Sequence, residues 1–276
     1  MLSDVPQRKQ ATHDLKSPSS STVAFVFVLG PPGAGKSTLC AKLKEEFTFH
    51  HVAVGNELRA LFANSMTSQD ATISPFNKDE LSVIKQHLER AELVPDNIIN
   101  KYLENRIFDN ISDSGDALAL IDGFPRSAAQ FMSFLDAIKP RWVPQRGRPD
   151  QDNVTLNVER PNAFLLILDC DSEVAQSRFL ARGRGADDVE MFKKRFEAYC
   201  KDKDEILEEF KNRNIGYFEV DKRDNEGEKT KDVEGMVERV IAKLSEVEGL
   251  RDILHGIEKE GRGRRGGWGM RCWRGR

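Results

Sequence analysis

The sequence lacks several features, and each absence narrows what the chain can do. No apolar stretch approaches the roughly 20 residues that a bilayer-spanning helix needs, so no membrane partner is expected. The four cysteines, Cys40, Cys170, Cys200 and Cys272, show no C-x-x-C spacing and fall in different segments. That pattern carries no zinc-ribbon or disulfide signature and points to reduced thiols in a cytoplasmic, or also nuclear, protein. The opening residues MLSDVPQRKQATHDLKSPSSS have no apolar core of the secretory kind, and Asp4 and Asp14 speak against a mitochondrial presequence. Residues 1–21 read as a disordered arm. Charge of one sign is also missing: 42 Lys and Arg against 45 Asp and Glu leave a net −3, which excludes a general electrostatic binder of nucleic acid. No internal repeat is visible. What remains is a chain of 276 residues, 39% hydrophobic, long enough for one large α/β domain.

The most informative run present is GPPGAGKST, Gly30 to Thr38. It fits G-x-x-x-x-G-K-[ST] and follows VAFVFVL, an unbroken apolar run of the kind a buried parallel strand shows. Gly30, Gly33 and Gly35, with Ala34 between them, let the backbone N–H groups curl toward a phosphate chain. The following helix presents its positive end to the same anion. Lys36 adds a mobile charge for the outer phosphates, Ser37 a hydroxyl that can ligate Mg²⁺, and Thr38 continues the cradle. A second apolar run, Ala117–Ile121, leads to Asp122, at the strand edge where open α/β sheets bind ligands. There a carboxylate can hold a water of the Mg²⁺ shell. Gly123, Phe124 and Pro125 then form a tight exit that aims Arg126 at the phosphates.

Further strands are expected at His51–Val54, Ala163–Leu168 and Ile215–Val220. Helical patterns cover Asp79–Ala91, Asp96–Phe108, Ser127–Ile138, Ser172–Ala181, Val189–Lys211 and Lys231–Glu246. The alternation predicts a P-loop α/β fold, a five-stranded parallel sheet with helices on both faces. Three stretches lie outside that scheme. Ala63–Asn77 is polar and irregular. Lys139–Asn162 carries Pro140, Pro144, Pro149 and Pro161 and reads as a surface loop. Within a C-terminal extension over 248–276, the tail GRGRRGGWGMRCWRGR has six arginines, two tryptophans and no acid, a composition that binds nucleic acid by charge and stacking if it binds anything.

The run DGFPR, Asp122 to Arg126, together with the phosphate loop, resembles the nucleoside monophosphate kinase family, which includes adenylate kinases and UMP–CMP kinases. HVAVGNELRALF (His51 to Phe62), LERAELVPDNI (Leu88 to Ile98), RFLARG (Arg178 to Gly183) and KKRF (Lys193 to Phe196) are similar to family segments in the same order, over about residues 22–245. The resemblance implies a kinase domain over 22–247, with a monophosphate-binding insert over 55–110 and a short lid over 183–188. It implies that Mg²⁺ and ATP are required, that a nucleoside monophosphate is the acceptor and that the protein is a monomer. It places Gly55, Arg59, Val94, Gly123, Arg126 and Gln130 at the monophosphate, with Gln130 touching its base. Arg178 would stack on the ATP base, and Arg182, Arg184 and Arg195 would close on the phosphates beside Asp187 and Asp188.

Asn56, Glu57, Val54 and Val189 depart from the family pattern, which bears on acceptor specificity and efficiency. FLLILDC (Phe164 to Cys170) and the short lid resemble the UMP–CMP branch more than the AMP branch, so UMP and CMP are slightly preferred as acceptors. A nucleotide-binding protein of the same fold with weakened transfer chemistry is the alternative. A GTPase switch would need N-K-x-D after the Asp122 strand, whereas NKDE, Asn77 to Glu80, precedes it and ends in Glu80.

Overall fold

The structure, a computed structural model, describes residues 23–46, 50–64, 75–108, 117–142, 163–183, 187–220, 233–247 and 250. The disordered-arm expectation for 1–21, most of the Pro-rich stretch, Arg184 in the lid, and the Gly/Arg-rich tail lie outside the described residues.

Parallel strands need long crossovers, and here helices supply them. The chain runs β1 (Val23–Leu29), α1 (Lys36–Glu46), β2 (His50–Ala53), α2 (Val54–Asn64), α3 (Lys78–Glu89), α4 (Asp96–Phe108) and β3 (Ala117–Asp122). It continues through α5 (Ala128–Trp142), β4 (Ala163–Leu168), α6 (Ser172–Leu180), α7 (Val189–Asn212), β5 (Gly216–Val220) and α8 (Val233–Glu246). The five strands are ordered β2-β3-β1-β4-β5, and every pairing is parallel. After β3 the chain crosses β1 to build the β4–β5 side, so the carboxyl ends of β1, β3 and β4 border the crevice where open sheets take ligands.

Side chains alternate across a strand, and the sheet divides the core accordingly. Phe25, Phe27 and Leu29 pack with α2, α3, α4, α5 and α7, while Ala24, Val26 and Val28 pack with α1, α6 and α8. Phe27 is the hub of the first face, with Phe131 and Phe210 edge-on at 5.5 and 5.6 Å between centroids. Two fully apolar faces explain why β1 and β4 read as unbroken apolar runs.

Several element boundaries differ from the sequence expectations by a residue or two, and some differ by more. The strand expected over His51–Val54 stops at Ala53, and Val54 opens α2. This helix was not foreseen, although Val54, Leu58, Leu61 and Phe62 recur at helical spacing and pack on the core. The loop expected from Lys139 begins later, because α5 runs through Pro140 to Trp142. Proline's fixed φ is compatible with a helix, and the helix ends two residues after it. NKDE is a helix start: Asn77 accepts from the Glu80 N–H, and Glu80 accepts from the Asn77 N–H, both at 2.8 Å. This capping box accounts for the four letters without a guanine-binding role.

Candidate active site

The loop from Gly30 to Gly35 is held where only glycine fits. A Cβ at Gly30 would lie 2.4 Å from the Leu168 carbonyl oxygen, and one at Gly33, where φ is +88°, 2.0 Å from that of Ala175. The loop is thus pressed against the end of β4 and against α6. Ala34 is buried inside it. Lys36 opens α1 and folds its ammonium back onto the Gly30 and Pro31 carbonyl oxygens at 2.7 and 2.8 Å, which uses two of its three donors. Burial pushes Lys36 down to about 8; Asp122 opposes this shift, and the Arg126 and Arg182 charges add to it.

Register aligns the next group. Val28 is the partner of Asp122 across β1 and β3, which brings the carboxylate beside the loop. The Ser37 hydroxyl donates to Asp122 Oδ2 at 2.8 Å, and Asp122 is only 6% exposed. A hydroxyl and a carboxylate side by side beneath a phosphate loop are hard oxygen donors, and this set fits Mg²⁺.

Gly55 lies on another wall of the cleft. A Cβ there would lie 3.0 Å from an Arg126 guanidinium nitrogen and 3.3 Å from one of Arg59, so both arginines converge on its bare backbone. Asn56 Oδ1 accepts from Arg59 at 2.9 Å, and the Gly123 carbonyl accepts from Arg126 Nε at 3.1 Å. Solvent reaches Arg126, but protein surrounds it on most sides. That desolvation, with the Arg195 charge nearby and against the pull of Asp122, lowers its pKa from the usual arginine value. Gln130 is buried; its Oε1 accepts from the Arg126 N–H at 3.1 Å and its amide nitrogen reaches Asp96 at 3.5 Å. Val94 lies in the core.

The family departure at Glu57 has a structural use. One carboxylate oxygen accepts from the Ala53 N–H at 2.7 Å, and the other accepts from Tyr102 at 2.6 Å and from Arg106 Nε at 2.8 Å. Glu57 therefore ties the start of α2 to α4.

From the opposite wall come Arg178 and Arg182, at the end of α6 and just past it, and Arg195 on α7. Arg182 and Arg195 both lie over the Phe179 ring, at 5.2 and 5.8 Å from its centroid. Asp188 caps α7 by accepting from the Met191 N–H at 2.7 Å, and Asp187 approaches Arg195 at 3.7 Å.

Lys36, Arg59, Arg126, Arg178, Arg182 and Arg195 line one cleft of about 530 Å³, together with Gly30, Gly33, Gly35, Ser37, Thr38, Gly55, Asp122 and Gly123. Residues from five separate sequence segments are brought together, whereas Ala34, Val94 and Gln130 sit behind the surface. Six cations against three carboxylates, Glu92, Asp122 and Asp202, leave the cleft net positive and suited to a polyanion. Sequence reading missed Ala198, Tyr199, Asp202 and Ile206, which line the same cleft from α7. They follow Arg195 by three, four, seven and eleven residues, and that helical spacing was the available signal. It also missed Leu88, Glu92 and Leu93, which line the cleft around the end of α3.

The all-parallel sheet, the loop after β1 and the carboxylate closing β3 define a P-loop NTPase fold. A family model described as adenylate kinase matches residues 28–215. The chain is 32% identical over 196 residues to a uridylate kinase of Saccharomyces cerevisiae, an alignment covering 70% of this chain and 80% of that relative. It is 30% identical over 194 residues to UMP-CMP kinase 3 of Oryza sativa, covering 70% and 75%. A UMP-CMP kinase 2 of Caenorhabditis elegans is 31% identical over 188 residues, covering 67% and 81%. The chain belongs to the adenylate kinase family of nucleoside monophosphate kinases.

None of Cys40, Cys170 and Cys200 takes part in a disulfide among the described residues, and no described helix is long and apolar enough to cross a membrane.

Proposed function

We propose that this chain transfers the γ-phosphoryl group of ATP to a pyrimidine nucleoside monophosphate, UMP or CMP, with AMP a weaker acceptor. The observation that carries this reading is the approach of Arg59 and Arg126 to the bare backbone of Gly55, across the cleft from Lys36. An acceptor phosphate held by that arginine pair would face a donor phosphate held by the loop.

An ionised oxygen of the acceptor phosphate attacks the γ-phosphorus. The new P–O bond forms as the bond to the β-phosphate oxygen breaks, and ADP leaves with that electron pair. The acceptor oxygen is already an anion, so no general base is required. The protein's task is to position and to stabilise charge. Lys36 and the Gly30–Gly35 backbone hold the donor. Arg182 and Arg195 take up charge on the transferred group, with Arg184 joining them, and Arg178 flanks the donor base. Gln130, held by Asp96 and the Arg126 N–H behind the cleft surface, is assigned to the acceptor base, which would have to reach it past Arg126. Ser37 and Asp122 would hold Mg²⁺, which when bound offsets the negative charge of the phosphate chain. Closure of a short lid over 183–188 excludes water from the ATP. We assign the insert to 55–110 and the working domain to 22–247, in a monomer of a reducing compartment.

The names of the relatives and the FLLILDC run support the pyrimidine preference. Coupled-assay turnover of UMP, CMP, dUMP and AMP with ATP and Mg²⁺ tests it. UMP and CMP should lead in kcat/KM, and AMP in first place would reverse the preference.

A further inference from the structure

Asp122 has neighbours that phosphoryl transfer does not use. Ser37 bonds Asp122 from α1, and Cys40 lies three residues further along, on the same helical face. On β2, His51 is in register with Leu120, and Ala53 is in register with Asp122. Leu120 and Asp122 share one face of β3, and His51 lies beside them on that face. It is the face that α1 covers, since Leu39, Cys40 and Leu43 pack with Leu118 and Leu120. A sulfur, an imidazole nitrogen and a carboxylate oxygen from Cys40, His51 and Asp122 thus lie within 4.8 Å of one another.

The cluster is mostly buried, with His51 half-buried and Asp122 at the cleft. Cys40 is fully buried and Asp122 nearly so. His51 Nε2 is buried with no hydrogen-bond partner among the described residues. A buried imidazole nitrogen left without a partner has lost its water for no return. Thiolate, imidazole and carboxylate together are a zinc-type donor set, and the sulfur disfavours Mg²⁺ and Ca²⁺. Ligand atoms around a four-coordinate zinc sit about 3.3–3.7 Å apart, so the three side chains need to close by only about 1 Å.

We propose that Cys40, His51 and Asp122 bind one zinc-class divalent ion beneath the phosphate loop, and that its binding draws Asp122 away from Ser37 and inhibits turnover. On binding, the Cys40 S–H bond is replaced by a sulfur–metal bond, the proton passes to solvent, and no oxidation state changes. Three protein ligands leave a fourth position for water. The inhibitory half rests on the phosphotransfer reading above; the binding half does not.

The test titrates the full chain with Co²⁺, followed by displacement with Zn²⁺. One equivalent of Co²⁺ should give a thiolate-to-cobalt charge-transfer band that Zn²⁺ removes. The band should be lost in Cys40→Ala, in Cys40→Ser, which keeps the side chain's shape should alanine fail to fold, and in His51→Ala. It should survive in Cys170→Ala and Cys200→Ala. In parallel, one equivalent of Zn²⁺ should suppress Mg²⁺–ATP turnover of the wild type and leave Cys40→Ser turning over. Absence of the band, or its survival in both Cys40 variants, overturns the site. A band without loss of turnover overturns the inhibition. A band in a protein that phosphorylates no monophosphate supports the site and counts against the kinase reading instead.

Discussion

The two sides of the cleft are built on different principles. The side proposed for the donor is backbone against backbone: the glycine loop presses on the carbonyls of Leu168 and Ala175, and strand register sets Asp122 beside it. The side proposed for the acceptor is held by side chains: Glu57 joins α2 to α4 through Tyr102 and Arg106, and Asn56 steadies Arg59. Backbone packing admits one residue type at each contact, whereas a side-chain tie can be made in many ways. The donor side should therefore break sharply on substitution, and the acceptor side should loosen by degrees.

The largest effect expected is at Gly33. Alanine there would place a methyl group 2.0 Å from the Ala175 carbonyl oxygen, at a φ of +88°. Gly33→Ala should destabilise the fold by about 3 kcal/mol or more and displace α6, measurable by denaturant unfolding. Lys36→Ala leaves that packing intact and should lower kcat about a hundredfold or more with the fold preserved. Across the cleft, Arg126→Ala should raise KM for the monophosphate and lower kcat/KM about tenfold to a hundredfold, while ATP binding is nearly unchanged. Equal weakening of ATP binding would move Arg126 to the donor side.

A smaller effect is expected at Glu57, whose carboxylate is partly exposed. Glu57→Gln keeps the shape and weakens the contacts with Tyr102 and Arg106, so about 1 kcal/mol of stability should be lost. KM for the monophosphate should rise a few-fold and KM for ATP should hold. If both constants move together, Glu57 supports the whole fold and not the acceptor side in particular.

The gentlest probe is pH. Burial sets Lys36 at about 8, so the ammonium is charged below that value and loses its proton as pH rises through it. The donor side needs the cation, so kcat/KM for ATP should be level below about pH 8 and fall above it. Lys36→Arg should flatten that limb, because arginine stays charged.

The same contrast explains what the sequence made legible. Gly30, Gly35, Lys36, Asp122 and Arg126 appear as fixed letters because a clash, a positive φ, a charge for the phosphates, a register or a tight exit calls for each of them. The apolar runs at β1 and β4 were readable because both faces of the sheet are covered. The acceptor side was harder to read. Glu57 looked like the loss of an apolar residue, since its partners lie 45 and 49 residues away on another helix. The helix α2 was hidden inside a stretch that had been read as a motif. Tyr199, Asp202 and Ile206 belong to the cleft only because α7 turns the face bearing Arg195 toward it. That orientation is set by tertiary packing and not by local pattern.

The central claim is that the cleft performs phosphoryl transfer between a loop-held donor and an arginine-held acceptor. The most direct test follows radiolabelled γ-phosphate from ATP in the presence of UMP and Mg²⁺, for the wild type and for folded Lys36→Ala. The account predicts label in UDP for the wild type and a rate reduced about a hundredfold or more for the variant. A wild type that binds ATP and passes no label to UMP, CMP or AMP, or a variant that transfers at the wild-type rate, would contradict it.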